Sequence, residues 1–108
     1  VSTDVPEYIH ADFTAIAVPE VYCSLDHAKS SISKPESIFW DTRSIGEYRG
    51  ETSVMGSVDM RLGRIPGAVH LEWIELFEKE TKTLRPAAEL WELLVSHGIK
   101  PEFEINTY

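Results

Sequence analysis

Positive charge is scarce in this chain, and cysteine scarcer. Ten Lys and Arg stand against 18 Asp and Glu over 108 residues, giving a formal net charge of -8. That balance opposes sequence-independent attraction to a phosphate backbone or to an anionic membrane surface, so no nucleic-acid partner is expected. No apolar run approaches the roughly 18 residues needed to cross a bilayer, and the opening Val-Ser-Thr-Asp-Val-Pro has neither the basic nor the apolar region of a signal peptide. No membrane partner is expected either. The single cysteine, Cys23, excludes an internal disulfide framework and fits a reducing cytoplasm, the expected compartment. His10, His27, His70 and His97 have no close ligand spacing and no partnering cysteines, so no metal site is expected; no cofactor is expected either. Internal repeats, coiled-coil heptads and low-complexity tracts are absent from the sequence. The chain begins with Val rather than Met, which gives the expectation that it belongs to a longer polypeptide.

What is present centres on residues 37–50, Ser-Ile-Phe-Trp-Asp-Thr-Arg-Ser-Ile-Gly-Glu-Tyr-Arg-Gly. The apolar run Ile38, Phe39, Trp40 stops at Asp41, the pattern of a buried strand delivering charge at its C-terminal end. Ser44 and Glu47 have capping-box spacing, in which the hydroxyl accepts from the Glu47 N–H and the carboxylate accepts from the Ser44 N–H. Gly50 ends the short helix. Ligands of open α/β sheets bind outside the carboxyl ends of the strands, which is where Asp41 and Arg43 would lie.

Residues 1–12 read as a linker or arm, and residues 13–108 as a single domain with a modest core. Residues 13–18 are β-prone. Pro19 suits the first turn of a helix running to about Lys29, with Val21, Leu25 and Ala28 forming a stripe toward a sheet and Cys23 within it. After Gly50, residues 51–63 form a long loop without periodicity. Pro66 and Gly67 fit a type II turn feeding a very short strand. Trp73, Leu76 and Phe77 mark a short helix over about 72–78. Pro86 opens another, with Leu90, Leu93, Leu94 and His97 on one face and Gly98 at its end. A last strand starts near Phe103. Helices alternating with short apolar strands predict an α/β fold with a mostly parallel sheet, incomplete at its C-terminus because no covering helix follows the last strand. Trp40, Trp73 and Trp91 are expected in the core or covering the sheet.

Three segments together resemble the rhodanese-like sulfurtransferases. Trp40 to Gly50 is similar to the family's Asp-x-Arg-x-x-x-Glu-Tyr-x-Gly segment. Gly63-Arg64-Ile65-Pro66-Gly67-Ala68 is similar to its Gly-His-Ile-Pro-Gly-Ala motif, with Arg64 in place of His, and Arg85-Pro86 through Gly98-Ile99 is similar to the segment leading to the active-site strand. Their order and spacing agree over residues 13–108. The resemblance implies a three-layer rhodanese-like domain that stops just before the catalytic loop, with the nucleophilic Cys directly after Tyr108 and no catalytic residue within the chain. It also implies a complementary C-terminal segment and, from the likeness of residues 1–12 to an interdomain linker, an upstream rhodanese-like domain. The implied activity moves a sulfane sulfur from a small anionic donor, thiosulfate or 3-mercaptopyruvate, to cyanide or a thiol through a cysteine persulfide. Arg43 is implied as the donor-binding residue, because a guanidinium holds two oxygens of a sulfonate-like group at once. Asp41, Ser44 and Glu47 support it.

Two alternatives stand beside that reading. Asp41 and Arg43 also suit a purely structural ion pair, and a rhodanese-like module can bind or regulate without transferring sulfur. Cys23, expected on a helix and not on an anion-cradling loop, is read as a packed or surface thiol.

Overall fold

The computed structural model of the chain describes residues 7–9, 11–53 and 61–108. The reading of residues 1–12 as an arm and that of the loop over 51–63 lie partly outside this set. Three parallel strands form one sheet in the order β2-β1-β3, with β1 spanning Ser37–Asp41, β2 Val69–His70 and β3 Glu104–Thr107. Three α-helices accompany them: α1 over Leu25–Ser31, α2 over Ile45–Arg49 and α3 over Ala87–Ser96. The predicted α/β class with a parallel sheet is what the structure has.

β1 is central because it alone is apolar and β-prone along its length, so it can be flanked on both edges. Trp40 and Asp41 face Val69 and His70 of β2, while residues 37–40 face residues 104–107 of β3. Phe39 is buried between them, and with Ala68, Leu71 and Ile99 it makes up the buried apolar core of the described residues. Trp40 ties β1 to the chain just after β2, its indole N–H donating to the Leu71 carbonyl at 2.8 Å. α3 turns the predicted face inward: Leu90, Leu93, Leu94 and His97 are half-buried. Its end is fixed by Gly98 at φ 77°, next to buried Ile99.

Four expectations are corrected. Residues 13–18 form no strand; Phe13 and Ile16 are exposed, since a β-prone run without a neighbouring edge has nothing to pair with. The first helix does not start at Pro19. A short 3-10 turn over Pro19–Val21 is followed by a break, and α1 begins only after Ser24, whose hydroxyl accepts from the His27 N–H at 3.2 Å. The N-cap overrides the apolar spacing, so Val21 and Leu25 are exposed and Cys23 sits before the helix. The helix expected over 72–78 shrinks to a 3-10 turn at Trp73–Leu76, because Phe77 leaves it to form a bridge with Leu84. Trp73 and Trp91 are each more than half exposed rather than buried.

Candidate functional site

The C-terminal end of β1 gathers polar groups from four separate stretches of chain. Asp41 is the last residue of the strand and is fully buried. A buried carboxylate needs partners, and Arg43, two residues on, supplies three: its backbone N–H donates to Oδ1 at 3.1 Å, Nε to Oδ1 at 2.9 Å and Nη2 to Oδ2 at 2.6 Å. Such a fork on a carboxylate is directional as well as strong. Burial alone would raise the Asp41 pKa, but the hydrogen bonds from Arg43 outweigh it and the carboxyl lies below the usual carboxylate range. Asp41 therefore stays ionised at neutral pH and is suited to holding Arg43 in place, not to moving a proton. The Arg43 pKa rises in return, chiefly through the Asp41 hydrogen bonds.

The same guanidinium crosses to two other segments. Nη2 also donates to the Gly63 carbonyl at 2.9 Å, tying the turn of residues 63–67 to β1. The guanidinium carbon stands 5.1 Å from the centre of the Tyr108 ring, a cation–π distance. Tyr108 is itself pinned: its backbone N–H donates to the Trp40 carbonyl, its own carbonyl accepts from the Thr42 N–H and hydroxyl, and its phenol oxygen accepts from the Ile65 N–H at 3.0 Å. Burial raises the Tyr108 pKa against the lowering effect of the Ile65 N–H, so the phenol stays protonated. His70, at the end of β2, contacts the Arg43 carbonyl through Nε2 at 2.9 Å and leans on the Tyr48 ring. Among the described residues Arg43 Nη1 makes no hydrogen bond, whereas Nε and Nη2 are committed to Asp41 and Gly63.

α2 supports this arrangement from below. The capping box is complete: Ser44 Oγ accepts from the Glu47 N–H at 3.4 Å, and Glu47 Oε2 accepts from the Ser44 N–H at 3.2 Å and from its hydroxyl at 2.8 Å. The cap fixes the chain direction just after Arg43. Gly50 closes α2 in the left-handed region at φ 75°, and a Cβ there would lie 3.1 Å from the Gly63 nitrogen. Glycine is needed at this position for conformation and for close approach. Arg64 lies over the Tyr48 ring, 4.3 Å from its centre, and donates to the Tyr48 carbonyl, which is a packing role.

Asp41, Arg43, Ser44 and Glu47 are thus brought together at one strand end. Cys23 is exposed, has Ser24 as its hydrogen-bond partner and lies outside the cluster. Tyr108, Gly63 and His70 join the cluster without having been singled out from the sequence; the apolar-to-polar switch marks Asp41, but nothing local marks a ring or carbonyl arriving from 20 to 65 residues away. His27 contacts Glu104, a side-chain link between α1 and β3 likewise invisible in the sequence. No group of three or more metal-ligating side chains occurs among the described residues, and none of the described helices is long and apolar enough to cross a membrane.

No family model matches the chain. Two curated relatives do, both named thiosulfate sulfurtransferase. The one from Pseudomonas aeruginosa is 30% identical over 83 residues, 77% of this chain and 29% of its own length. The one from Azotobacter vinelandii is 33% identical over 89 residues, 82% of this chain and 31% of its own. The chain therefore spans about a third of the length of the curated relatives it matches. Among solved structures, an EanB variant in complex with ergothioneine matches 99% of this chain and 27% of that one, with 28% identity and a TM-score of 0.77. Another EanB variant, with ergothioneine covalently linked with a persulfide cysteine, matches 78% of this chain and 21% of that one at 29% identity, with a TM-score of 0.67.

Proposed function

The chain carries a rhodanese-like sulfurtransferase domain, and from that premise we propose that the cluster at the end of β1 holds a small anionic sulfur donor, thiosulfate or 3-mercaptopyruvate, during sulfane-sulfur transfer. The nucleophile is a cysteine thiolate held beside Tyr108, not Cys23. It attacks the sulfane sulfur of thiosulfate, the sulfur–sulfur bond breaks, and sulfite leaves with the bonding pair. The thiolate becomes a persulfide. Cyanide or a thiolate then attacks the outer sulfur, which departs as thiocyanate or as the acceptor's persulfide, and the enzyme thiolate is restored. No metal or redox cofactor is required for either displacement. Arg43 supplies its Nη1 group to the donor's oxygens, and Asp41 and the Gly63 carbonyl fix the guanidinium by holding Nε and Nη2.

The observation that carries this reading is the bidentate Asp41–Arg43 pair at the carboxyl end of the central strand, with the guanidinium 5.1 Å from Tyr108. The test is steady-state kinetics of the full-length protein with thiosulfate. A charged hydrogen bond is worth about 1.5–3 kcal/mol, so Arg43→Ala should lower kcat/KM by roughly 10- to 100-fold, and Arg43→Lys should recover only part of it. A second reading is favoured by one observation: Arg43 already binds Asp41 and the Gly63 carbonyl, as a structural cross-link would. On that reading the domain is a non-catalytic module. The full-length protein would then show no turnover with thiosulfate, and Arg43→Ala would lower the melting temperature alone.

A further inference from the structure

A second hollow lies on the segment between β2 and α3, outside the Arg43 cluster. Its volume is about 550 Å³, within the range of small-molecule sites. Trp73, Ile74 and Phe77 provide its apolar wall, with the Trp73 and Phe77 rings edge-to-face at 5.8 Å. Trp73 and Ile74 are 56% and 53% exposed, so the apolar wall is open to an incoming ligand. The hollow is preformed. The Phe77–Leu84 bridge, Glu78 N–H to the Thr83 carbonyl at 2.8 Å and Arg85 N–H to the Leu76 carbonyl at 3.0 Å close the loop behind it.

Three cations, Lys79, Lys82 and Arg85, line this wall together with Glu75 and Glu78. Arg85 is incompletely engaged. Its nearest carboxylate, Glu89, is 3.9 Å away, beyond hydrogen-bond reach, and its buried Nε has no partner among the described residues. The Nη groups of this partly exposed side chain are what an incoming acceptor would meet. Lys82 is held at φ 58°, the left-handed region that a lysine rarely adopts. Backbone strain of that kind persists where the surroundings impose it, and it collects at ligand clamps.

We propose that this hollow, between the Trp73–Leu76 turn and Arg85, binds a small organic anion with a flat apolar body, an aryl carboxylate or sulfonate. The body stacks on Trp73 and meets Phe77 edge-on, and the anionic head meets Lys82 and Arg85. An apolar body alone would be satisfied by the wall, but the unspent donors select a head group that accepts hydrogen bonds.

The probe is naphthalene sulfonate, titrated into the 108-residue chain and followed by amide and indole proton–nitrogen correlation spectra. Shifts should concentrate at the Trp73 indole N–H and at the amides of Phe77, Lys82 and Arg85. Lys82→Gly relieves the positive φ and so keeps the fold while removing one cation; Arg85→Gln removes the other. Each should weaken binding at least about tenfold, the loss expected for one charged hydrogen bond, and naphthyl methanol, which lacks the anion, should bind more weakly by a similar factor. Equal affinity for the neutral analogue, unchanged affinity in Lys82→Gly, shifts centred on Arg43, or no shifts at all would each overturn the proposal.

Discussion

Asp41 has no exposed surface and three hydrogen bonds from a single residue, and the behaviour of the site follows from that pairing. Its carboxyl pKa is lower folded than its ordinary 3.8, so ionised Asp41 stabilises the fold at every pH above that value, and the contribution is lost as pH falls through the lower folded value. Tyr108 works in the opposite sense: its pKa is raised above 10.0, so its contribution is full below that value and is lost as pH rises through the raised one. The urea midpoint should therefore be level across the neutral range as far as these two groups are concerned, and decline at both extremes. In Asp41→Asn the acid decline should flatten, and in Tyr108→Phe the alkaline one, both read from midpoints across pH. The carboxylate and the guanidinium were legible in the sequence because a charged pair directly follows an apolar run. Tyr108, Gly63 and His70 were not, because sheet register and turn closure bring them in from distant parts of the chain.

At the scale of elements, the short-range signals with a stereochemical cause were the ones that survived folding. The Ser44/Glu47 box forms as the spacing predicts, and Ser44→Ala should cost on the order of 1 kcal/mol by leaving the Glu47 N–H unsatisfied, measured as a lower denaturant midpoint. Pro66 and Gly67 make the expected turn, with Ala68 N–H donating to the Ile65 carbonyl and Gly67 at φ 78°. Gly67→Val should be the more damaging change, since a β-branched residue is strained at positive φ, whereas unaltered stability would mean that the turn relaxes to another type. Gly50→Ala should cost about 1–2 kcal/mol from handedness alone, with the 3.1 Å approach to the Gly63 nitrogen adding to it. Apolar periodicity was the weaker guide. Val21 and Leu25 have helical spacing yet stay exposed, because the Ser24 cap starts α1 late. Phe77 has the spacing of a helix and instead pairs with Leu84, as its place beside a tight loop allows.

For the molecule as a whole, a parallel sheet of three strands positions one end of its middle strand as the place where charge converges. Strand order was not readable from the sequence: alternating helices and strands imply parallel pairing, but they do not say that β1 lies between β2 and β3. The outer edge of β3 is unpaired among the described residues, and Ile105 is 40% exposed there. Cys23 and His27 line a cleft together with that edge, where His27 contacts Glu104, and neither Asp41 nor Arg43 lines it. The 108-residue chain assayed by itself with thiosulfate and cyanide should accordingly produce no thiocyanate, with Cys23→Ser as the control. The most direct test of the central claim is peptide mass mapping of the full-length protein after treatment with thiosulfate. One added sulfur on a cysteine adjoining Tyr108, lost on addition of cyanide, is the predicted result; an added, cyanide-labile sulfur on Cys23 would contradict the proposed role of the Arg43 cluster.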